Sequence, residues 1–191
     1  MAAILVVLSF LVKFNSVEDI YLFDEIKDAK AYIDADWGTQ LNSVGTVNVH
    51  LSGPGGSAEG MLYIINKIKQ SKAKVVMKVE GSIASAHAVL ALAGTEVQLP
   101  KHGYILFHLA SGTNMVKSSC AGLIGIDRGL SIKQKCEEDL TALLKMYNDA
   151  AMVYIGPVLT TAEKQKLYAG HDLIFSFDEL RARLEKVNGK H

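Results

Sequence analysis

A strand pattern, a glycine-rich turn, a helix pattern and a second strand pattern follow one another between residues 47 and 79, and this order constrains the fold most. Apolar and polar side chains alternate over residues 47–51, which predicts a β-strand with one buried face. The turn Gly53-Pro54-Gly55-Gly56 follows, Ser57 is the expected N-cap of a helix, and Lys74–Val79 predicts the next strand. One face of that helix carries the apolar residues Met61, Ile64, Ile65 and Ile68. A strand, a helix and a strand at this spacing require a parallel crossover connection, so we expect an α/β core.

The next segments continue the alternation of helices and strands. Small and apolar residues at 84–93, closed by Gly94, predict a helix. Short strands are expected at Glu96–Leu99 and Tyr104–Leu109. The capping-box form recurs at residues 160–163 and again at residues 176–179, so each should open a helix in the last part of the chain.

A long helix is predicted from about Ser131 to Tyr154, and Pro157 ends it. Its apolar residues recur at helical spacing: Leu140, Leu143, Leu144, Tyr147, Ala151 and Tyr154. A long helix that leaves an α/β core usually packs against something, and here a partner subunit is expected to cover Leu143 and Tyr147.

The first 14 residues, Met1–Phe14, are very apolar. An unbroken run of about 12 apolar residues is short for a membrane span, which needs roughly 20. No positively charged region precedes Ile4, as a signal peptide would require. A buried strand or an oligomer contact is therefore expected, and a membrane anchor is kept as the alternative.

The overall composition excludes several classes of partner. Apolar residues make up 49% of the 191, enough for a sizeable core, and 20 basic side chains balance 20 acidic ones. This balance gives no electrostatic reason to expect nucleic acid or a membrane as partner. Cys120 and Cys136 stand far apart without a metal-binding spacing, so we expect two ordinary thiols, no metal and a reducing, cytoplasmic location.

Three residues have side chains suited to acyl transfer, and each also has an ordinary structural interpretation. Ser85 stands at a strand-to-helix junction near unpaired N–H groups, where a serine is most often a cap. His108 ends an apolar strand and would be the base that a serine nucleophile needs, although a histidine there is usually structural. Asp172 lies between two capped helices, where it is a cap, a solvated charge or the carboxylate that orients an imidazole.

The turn at residues 53–57 follows a predicted strand and has three interpretations. The simplest is a tight turn, because neither a phosphate loop nor a dinucleotide fingerprint has this spacing. Its backbone N–H groups are unobstructed by side chains, which also suits an oxyanion hole. A β-like contact with an extended peptide is the third.

Three ordered blocks of the sequence resemble the Clp-type serine peptidases, whose superfamily also contains the crotonase fold. The first block is residues 49–57, VHLSGPGGS, which is similar to the family's strand and Ser-Pro-Gly-Gly-Ser turn. The second is residues 81–86, GSIASA, similar to its Gly-x-Ala-Ala-Ser segment. The third runs from Leu99-Pro100 to His108. The resemblance covers about residues 44–112 well and the C-terminal half loosely.

The resemblance implies a role for particular residues, with no cofactor. Ser85 would be the nucleophile, His108 the general base and Asp172 the acid. The oxyanion-hole N–H groups would come from Gly56 and Ala86, and the substrate contacts from Gly55, Leu109 and Ala110. The sequence departs from the family pattern at Gly53, Ile83, Ala86 and His87, and at Leu109-Ala110, where bacterial housekeeping enzymes tend to have Gln-Pro.

The resemblance also implies a fold and an assembly. We expect one domain over residues 1–191 with a ClpP/crotonase-like ββα superhelix, a head at about 1–112 and 157–191, and a protruding handle helix at about 130–155. The expected activity is a serine endopeptidase that cleaves extended polypeptides inside a homo-oligomeric ring of six or seven subunits, stacked in pairs. The partner would be an AAA+ unfoldase, or a capsid or scaffold protein if the chain is of the phage-encoded Clp-like branch, with capsid maturation as its role.

Three alternatives remain open from the sequence, two of them other functions and one another catalytic arrangement. One is a crotonase-like acyl-CoA enzyme, whose chemistry also needs backbone N–H groups on an oxyanion. Another is a catalytically inactive subunit of a ring-shaped structural assembly. The third is a serine–lysine dyad in which Lys117 or Lys133 replaces His108 as the base.

Overall fold

The computed structural model describes residues 17–26, 41, 45–110, 120–127 and 130–189 of the chain. The predicted N-terminal strand or oligomer contact at Met1–Phe14 lies outside the described residues, as does Lys117. Among the described residues, no helix is both long and apolar enough to cross a membrane.

The described residues form strands and helices that alternate along most of the chain. The strands are β1 Val17–Phe23, β2 Thr46–Gly53, β3 Lys74–Ala84, β4 Glu96–Gln98, β5 Tyr104–Phe107, β6 Ile126–Asp127, β7 Leu130–Ser131 and β8 Leu173–Ser176. The helices are α1 Ala58–Gln70, α2 Ala86–Ala91, α3 Ile132–Ile155, α4 Thr161–Tyr168 and α5 Phe177–Asn188, with a 3₁₀ turn at Gly156–Val158. The fold is mixed α/β with a long helix, as predicted.

One six-stranded sheet organises the core, with the strand order β1-β2-β3-β5-β8 and β4 beside β3. The pairs β1–β2, β2–β3, β3–β4 and β3–β5 are parallel, which confirms the predicted crossovers, and β5–β8 is antiparallel. The strands β1 and β8 were not predicted. The short hairpin β6–β7 lies apart from this sheet.

Helix α1 begins and packs as its sequence predicts. The Ser57 side chain accepts a hydrogen bond from the Gly60 N–H at 3.0 Å, which confirms the N-cap. Its buried face consists of Gly60, Met61, Ile64, Ile65 and Ile68. Burial of each large apolar side chain contributes roughly 1.5–3 kcal/mol to stability, so this face fixes α1 on the sheet. Strand β2 of that sheet ends in the glycine turn.

The junction between β3 and α2 differs from the prediction. Strand β3 continues to Ala84, and helix α2 is only six residues long. Residues 83–84 belong to the strand because Ile83 pairs with both Gly53 of β2 and Ile105 of β5. These long-range backbone pairs outweigh the helical preference of the small residues.

Helix α3 is nearly as predicted and begins with a capping box that the sequence analysis did not identify. The Ser131 side chain accepts from the Gln134 N–H at 3.0 Å, and the Gln134 side chain accepts from the Ser131 N–H at 3.2 Å. Its buried residues are Ala151 and Ile155, both in the last turns. Leu143 is exposed as expected, whereas Tyr147 is half-buried. The exposed apolar surface of α3 therefore includes Leu143 but is not centred on Tyr147.

The expectation of two free thiols is wrong. Cys120 and Cys136 form a disulfide with their Cα atoms 5.9 Å apart, and Cys120 is buried. A separation of 16 residues indicates no pairing in the sequence, and only the fold brings the two Cα atoms within bonding range. The bond ties the chain just before β6 to the first turns of α3. The cysteines consequently give no support to a reducing compartment.

A partly buried ion pair joins α4 to α5. The capping box predicted at Thr160 and Glu163 is present, and Arg183 of α5 donates to both Glu163 carboxylate oxygens at 2.8 and 2.9 Å. The Arg183 hydrogen bonds, aided by those from Thr160, lower the pKa of Glu163 from 4.5 to about 2 against the opposing effect of burial. Ser176 caps α5 by accepting from the Glu179 N–H at 3.2 Å.

We predict that Glu163→Gln removes part of the acid sensitivity of folding. Because the folded-state pKa lies below the unfolded value, this carboxylate stabilises the fold above pH 4.5, and the stability is lost as the pH falls towards 2. The wild type should exceed the variant by about 2 kcal/mol at pH 7, and the difference should shrink on acidification. Urea unfolding at several pH values measures it, and a pH-independent difference would contradict the assignment.

Candidate active site

Ser85 occupies a strained turn between β3 and α2. Its backbone has φ 55° and ψ −124°, a positive φ that is uncommon for any residue except glycine. The Ser85 N–H donates to the Leu106 carbonyl at 2.9 Å, and its carbonyl accepts from the Val89 N–H at 3.1 Å. Such strain costs on the order of 1–3 kcal/mol and persists only where the surrounding structure holds it.

The Ser85 side chain does not cap α2, so the ordinary interpretation of this serine is wrong. It makes no capping hydrogen bond to the helix that it precedes. Its Oγ instead lies 2.7 Å from Nε2 of His108. The hydroxyl is therefore paired with a base rather than with the backbone of the helix.

The register of three neighbouring strands brings Ser85, His108 and Asp172 together. In the parallel pair β3–β5, Ala84 lies opposite Leu106, and Ser85 follows. In the antiparallel pair β5–β8, Phe107 lies opposite Leu173, so the next residue of one strand, His108, meets the preceding residue of the other, Asp172. The three side chains converge at one edge of the sheet.

The distances suit a proton relay from serine to histidine. If His108 carries its proton on Nδ1, its Nε2 accepts the hydrogen bond from the Ser85 hydroxyl. The same Nδ1 lies 3.6 Å from Oδ1 of Asp172, within ion-pair range but longer than a hydrogen bond. The side chains of His108 and Asp172 are 45% and 57% exposed, so water weakens their attraction here.

Other candidate bases do not contact Ser85 in the described part of the chain. Lys133 is exposed on the first turn of α3. His87 is fully buried, and within the described residues neither ring nitrogen has a hydrogen-bond partner. Burial lowers the pKa of His87, and the nearby Leu22 backbone opposes this shift only in part. His87 is therefore a neutral core residue.

The glycine turn lies directly against Ser85. A Cβ atom on Gly55 would stand 2.6 Å from the Ser85 Cβ and 2.8 Å from the Ala86 nitrogen. Gly55 and Gly56 have φ of 107° and 130°, which L side chains rarely adopt. Only glycine permits this approach of the two backbones.

A bridge to Ile26 fixes the turn without using the Gly56 N–H. The Ile26 N–H donates to the Gly55 carbonyl at 2.8 Å, and the Ser57 N–H donates to the Ile26 carbonyl at 2.7 Å. The Gly56 N–H takes part in neither bond. Ala86 is the first residue of α2, so its N–H has no acceptor within the helix. Gly56 and Ala86 therefore have backbone donors suited to an oxyanion hole.

A pocket of about 60 Å³ brings most of the predicted site residues together. Its lining includes Gly56, Ser85, Ala86, His108 and Ala110, together with Tyr147 and Asn148 of α3. Leu109 is half-buried and packs against the core instead. Within the described ranges, no group of three or more His, Cys, Asp or Glu side chains could hold a metal ion.

Asn148 is the site residue that the sequence analysis missed. Its side-chain amide hydrogen-bonds both backbone groups of Ala110, two residues after His108. The signal that could have identified it is a polar residue on the apolar stripe of a helix, four residues after Leu144 and three before Ala151.

We predict that Gly55→Ala slows the reaction of Ser85 with a fluorophosphonate at least tenfold. The new methyl group would push the glycine turn away from Ser85 and Ala86. Gly125→Ala is the matched control, because Gly125 also has a positive φ, 132°, but its Cβ would meet only the end of the Ile132 side chain. The control should lose stability and keep the labelling rate. Equal rates for Gly55→Ala and the wild type would contradict this account.

The sequence matches a known protein family. A family model described as Clp protease matches residues 8–121, more than half of the chain. The match includes the glycine turn, Ser85 and His108, and it ends before α3 and Asp172. No curated protein matches the chain.

Proposed function

The chain belongs to the Clp protease family, and we propose that it is a serine endopeptidase that cleaves extended polypeptides with Ser85, His108 and Asp172. The observation that carries this proposal is the 2.7 Å contact between the Ser85 Oγ and the His108 Nε2, made by a serine that does not cap its helix. A serine needs a base within hydrogen-bond reach before it can act as a nucleophile near neutral pH.

In the proposed reaction, the Ser85 Oγ attacks the carbonyl carbon of a peptide bond while His108 Nε2 takes the hydroxyl proton. The Gly56 and Ala86 N–H groups donate to the oxygen that becomes negative. Collapse breaks the C–N bond, and the leaving amine takes the proton from His108. Water then attacks the acyl-serine ester, His108 takes a proton from it, and the carboxylic acid leaves as Ser85 regains its proton.

Asp172 would orient His108 and stabilise the imidazolium that forms in each step. The 3.6 Å separation must shorten by about half an ångström to become a hydrogen bond. Bound substrate that covers the two exposed side chains would exclude water and strengthen their attraction.

The test of the activity is labelling by a fluorophosphonate, followed by peptide mapping. The wild type should be labelled on Ser85, and Ser85→Ala should lose both labelling and peptide hydrolysis while it keeps its fold. Ser82→Ala is the control, because Ser82 lies three residues earlier and its Oγ accepts a hydrogen bond from the Tyr104 N–H at 3.3 Å. An oligomer that resists the probe and cleaves no unfolded protein would contradict the proposal and favour a structural subunit.

The role of Asp172 has its own test. Asp172→Asn should lower turnover by roughly 10⁴-fold, the size known for this change in another serine protease, with little effect on substrate affinity. Steady-state kinetics separates the two constants. An effect below tenfold would show that another group orients His108.

Members of this family typically form rings, and we extend the proposal to a closed ring of six or seven copies. Helix α3, at about residues 130–155, would be the handle that stacks two rings. Residues 1–112 and 157–191, approximately, would form the head. Along α3, Leu143 and Met146 are 38% and 50% exposed, which supports a covered face in the assembly. A chamber would restrict cleavage to chains extended enough to enter.

Charging the exposed face of α3 should separate stacked rings. We predict that Leu143→Glu combined with Met146→Glu halves the particle mass measured by light scattering. Tyr168→Glu, which charges an exposed aromatic residue on α4, should leave the mass unchanged. A stable 20.7 kDa wild-type monomer with full peptidase activity would refute the assembly.

A further inference from the structure

The backbone of Ala110 is held by a side chain in the way that a neighbouring strand would hold it. The Ala110 N–H donates to Oδ1 of Asn148 at 2.7 Å, and Nδ2 of Asn148 donates to the Ala110 carbonyl at 3.0 Å. Both hydrogen bonds are partly buried, and the two residues are 38 positions apart in the chain. The amide group of Asn148 thus satisfies both polar groups of one peptide residue.

This clamp, the pair of hydrogen bonds between Asn148 and Ala110, lies where the sheet stops supporting the segment that carries His108. The pairing of β5 with β8 ends at Phe107 and Leu173, and residues 108–110 belong to no strand. Beyond Phe107, the described residues hold this segment through the His108 contact with Ser85 and the two hydrogen bonds from Asn148. Asn148 therefore holds one end of a short segment whose other end is fixed by β5.

We propose that Asn148 is a positioning residue that keeps His108 in reach of Ser85, and that it anchors Ala110 to helix α3 instead of leaving Ala110 free for substrate. The inference rests on the proposed peptidase function and deepens it. Asn148 lines the same pocket as Ser85 and His108. A displacement of about 1 Å in a catalytic group costs as much as 10²-fold in rate, so a clamp two residues from the base has a direct effect on turnover.

The clamp also changes which residue of this segment meets a substrate backbone. Both backbone groups of Ala110 are already bonded, and a substrate could use them only by displacing the Asn148 amide. An extended peptide would therefore pair with the backbone of Leu109, one residue nearer to His108. Such pairing would leave the hydrogen bonds between Asn148 and Ala110 intact.

The test compares Asn148→Ala and Asn148→Asp with Asp149→Ala. Asn148→Asp keeps the shape of the side chain but replaces the donor to the Ala110 carbonyl by a carboxylate oxygen, so it isolates the hydrogen bond from packing. Asp149 is the next residue of the same helix, and its side chain makes an exposed ion pair with Lys145. The readouts are the rate of fluorophosphonate labelling of Ser85, kcat and KM for a peptide substrate, and the melting temperature.

We expect both Asn148 variants to label 10- to 100-fold more slowly, with kcat reduced by a similar factor and KM changed less than threefold. Asp149→Ala should behave as the wild type. Labelling and kcat at the wild-type level in Asn148→Asp, the isosteric variant expected to fold, would overturn the inference and leave the peptidase proposal intact. A wild-type chain that the probe never labels would overturn both.

Discussion

The convergence of β3, β5 and β8 at one sheet edge is the constraint on which the site depends. The parallel register of β3 with β5 sets Ser85 beside the end of β5, and the antiparallel register of β5 with β8 sets His108 opposite Asp172. Because side-chain direction alternates along a strand, a shift of one residue in either pair would turn one of the three side chains to the other face. The 2.7 Å contact is thus a consequence of backbone pairing.

Backbone strain is concentrated beside this edge. Ser85 has a positive φ, and Gly53, Gly55 and Gly56 of the facing turn have φ between 107° and 142°. The bridge through Ile26 and the bulge between Leu51 and Gly53 hold this turn against the serine. The strained serine thus lies directly against a turn that only glycine can form, an arrangement that is common in active sites.

Helix α3 belongs to the site as well as to the exposed surface. Its last turns bury Ala151 and Ile155 in the core, and Asn148 reaches the segment after His108. Farther towards its N-terminus, the helix exposes Leu143 and Met146. A partner that covers those two residues would contact the same helix that holds the segment after His108. The proposed assembly and the proposed activity would then be linked over about one helical turn.

Local patterns in the sequence were sufficient for the features that depend on nearby residues. The buried face of α1, the Ser57 cap and the Thr160–Glu163 capping box all follow from side chains within a few turns of one another. Ser85 and His108 were identified as candidates by residue type, by their places beside strand ends and by resemblance to a family. Their chemical role stays a prediction, although the geometry supports it.

Tertiary structure decided what depends on partners far along the chain. The sequence analysis predicted neither β8, which is only four residues long, nor the extension of β3 to Ala84, where cross-strand pairing overrode the helical preference of the small residues. The Cys120–Cys136 bond and the Asn148 clamp join residues 16 and 38 positions apart. No local sequence pattern predicts such contacts, because they depend on how the strands and α3 pack. The sequence by itself therefore identified a serine and a histidine as candidates, and the fold brought their side chains into contact.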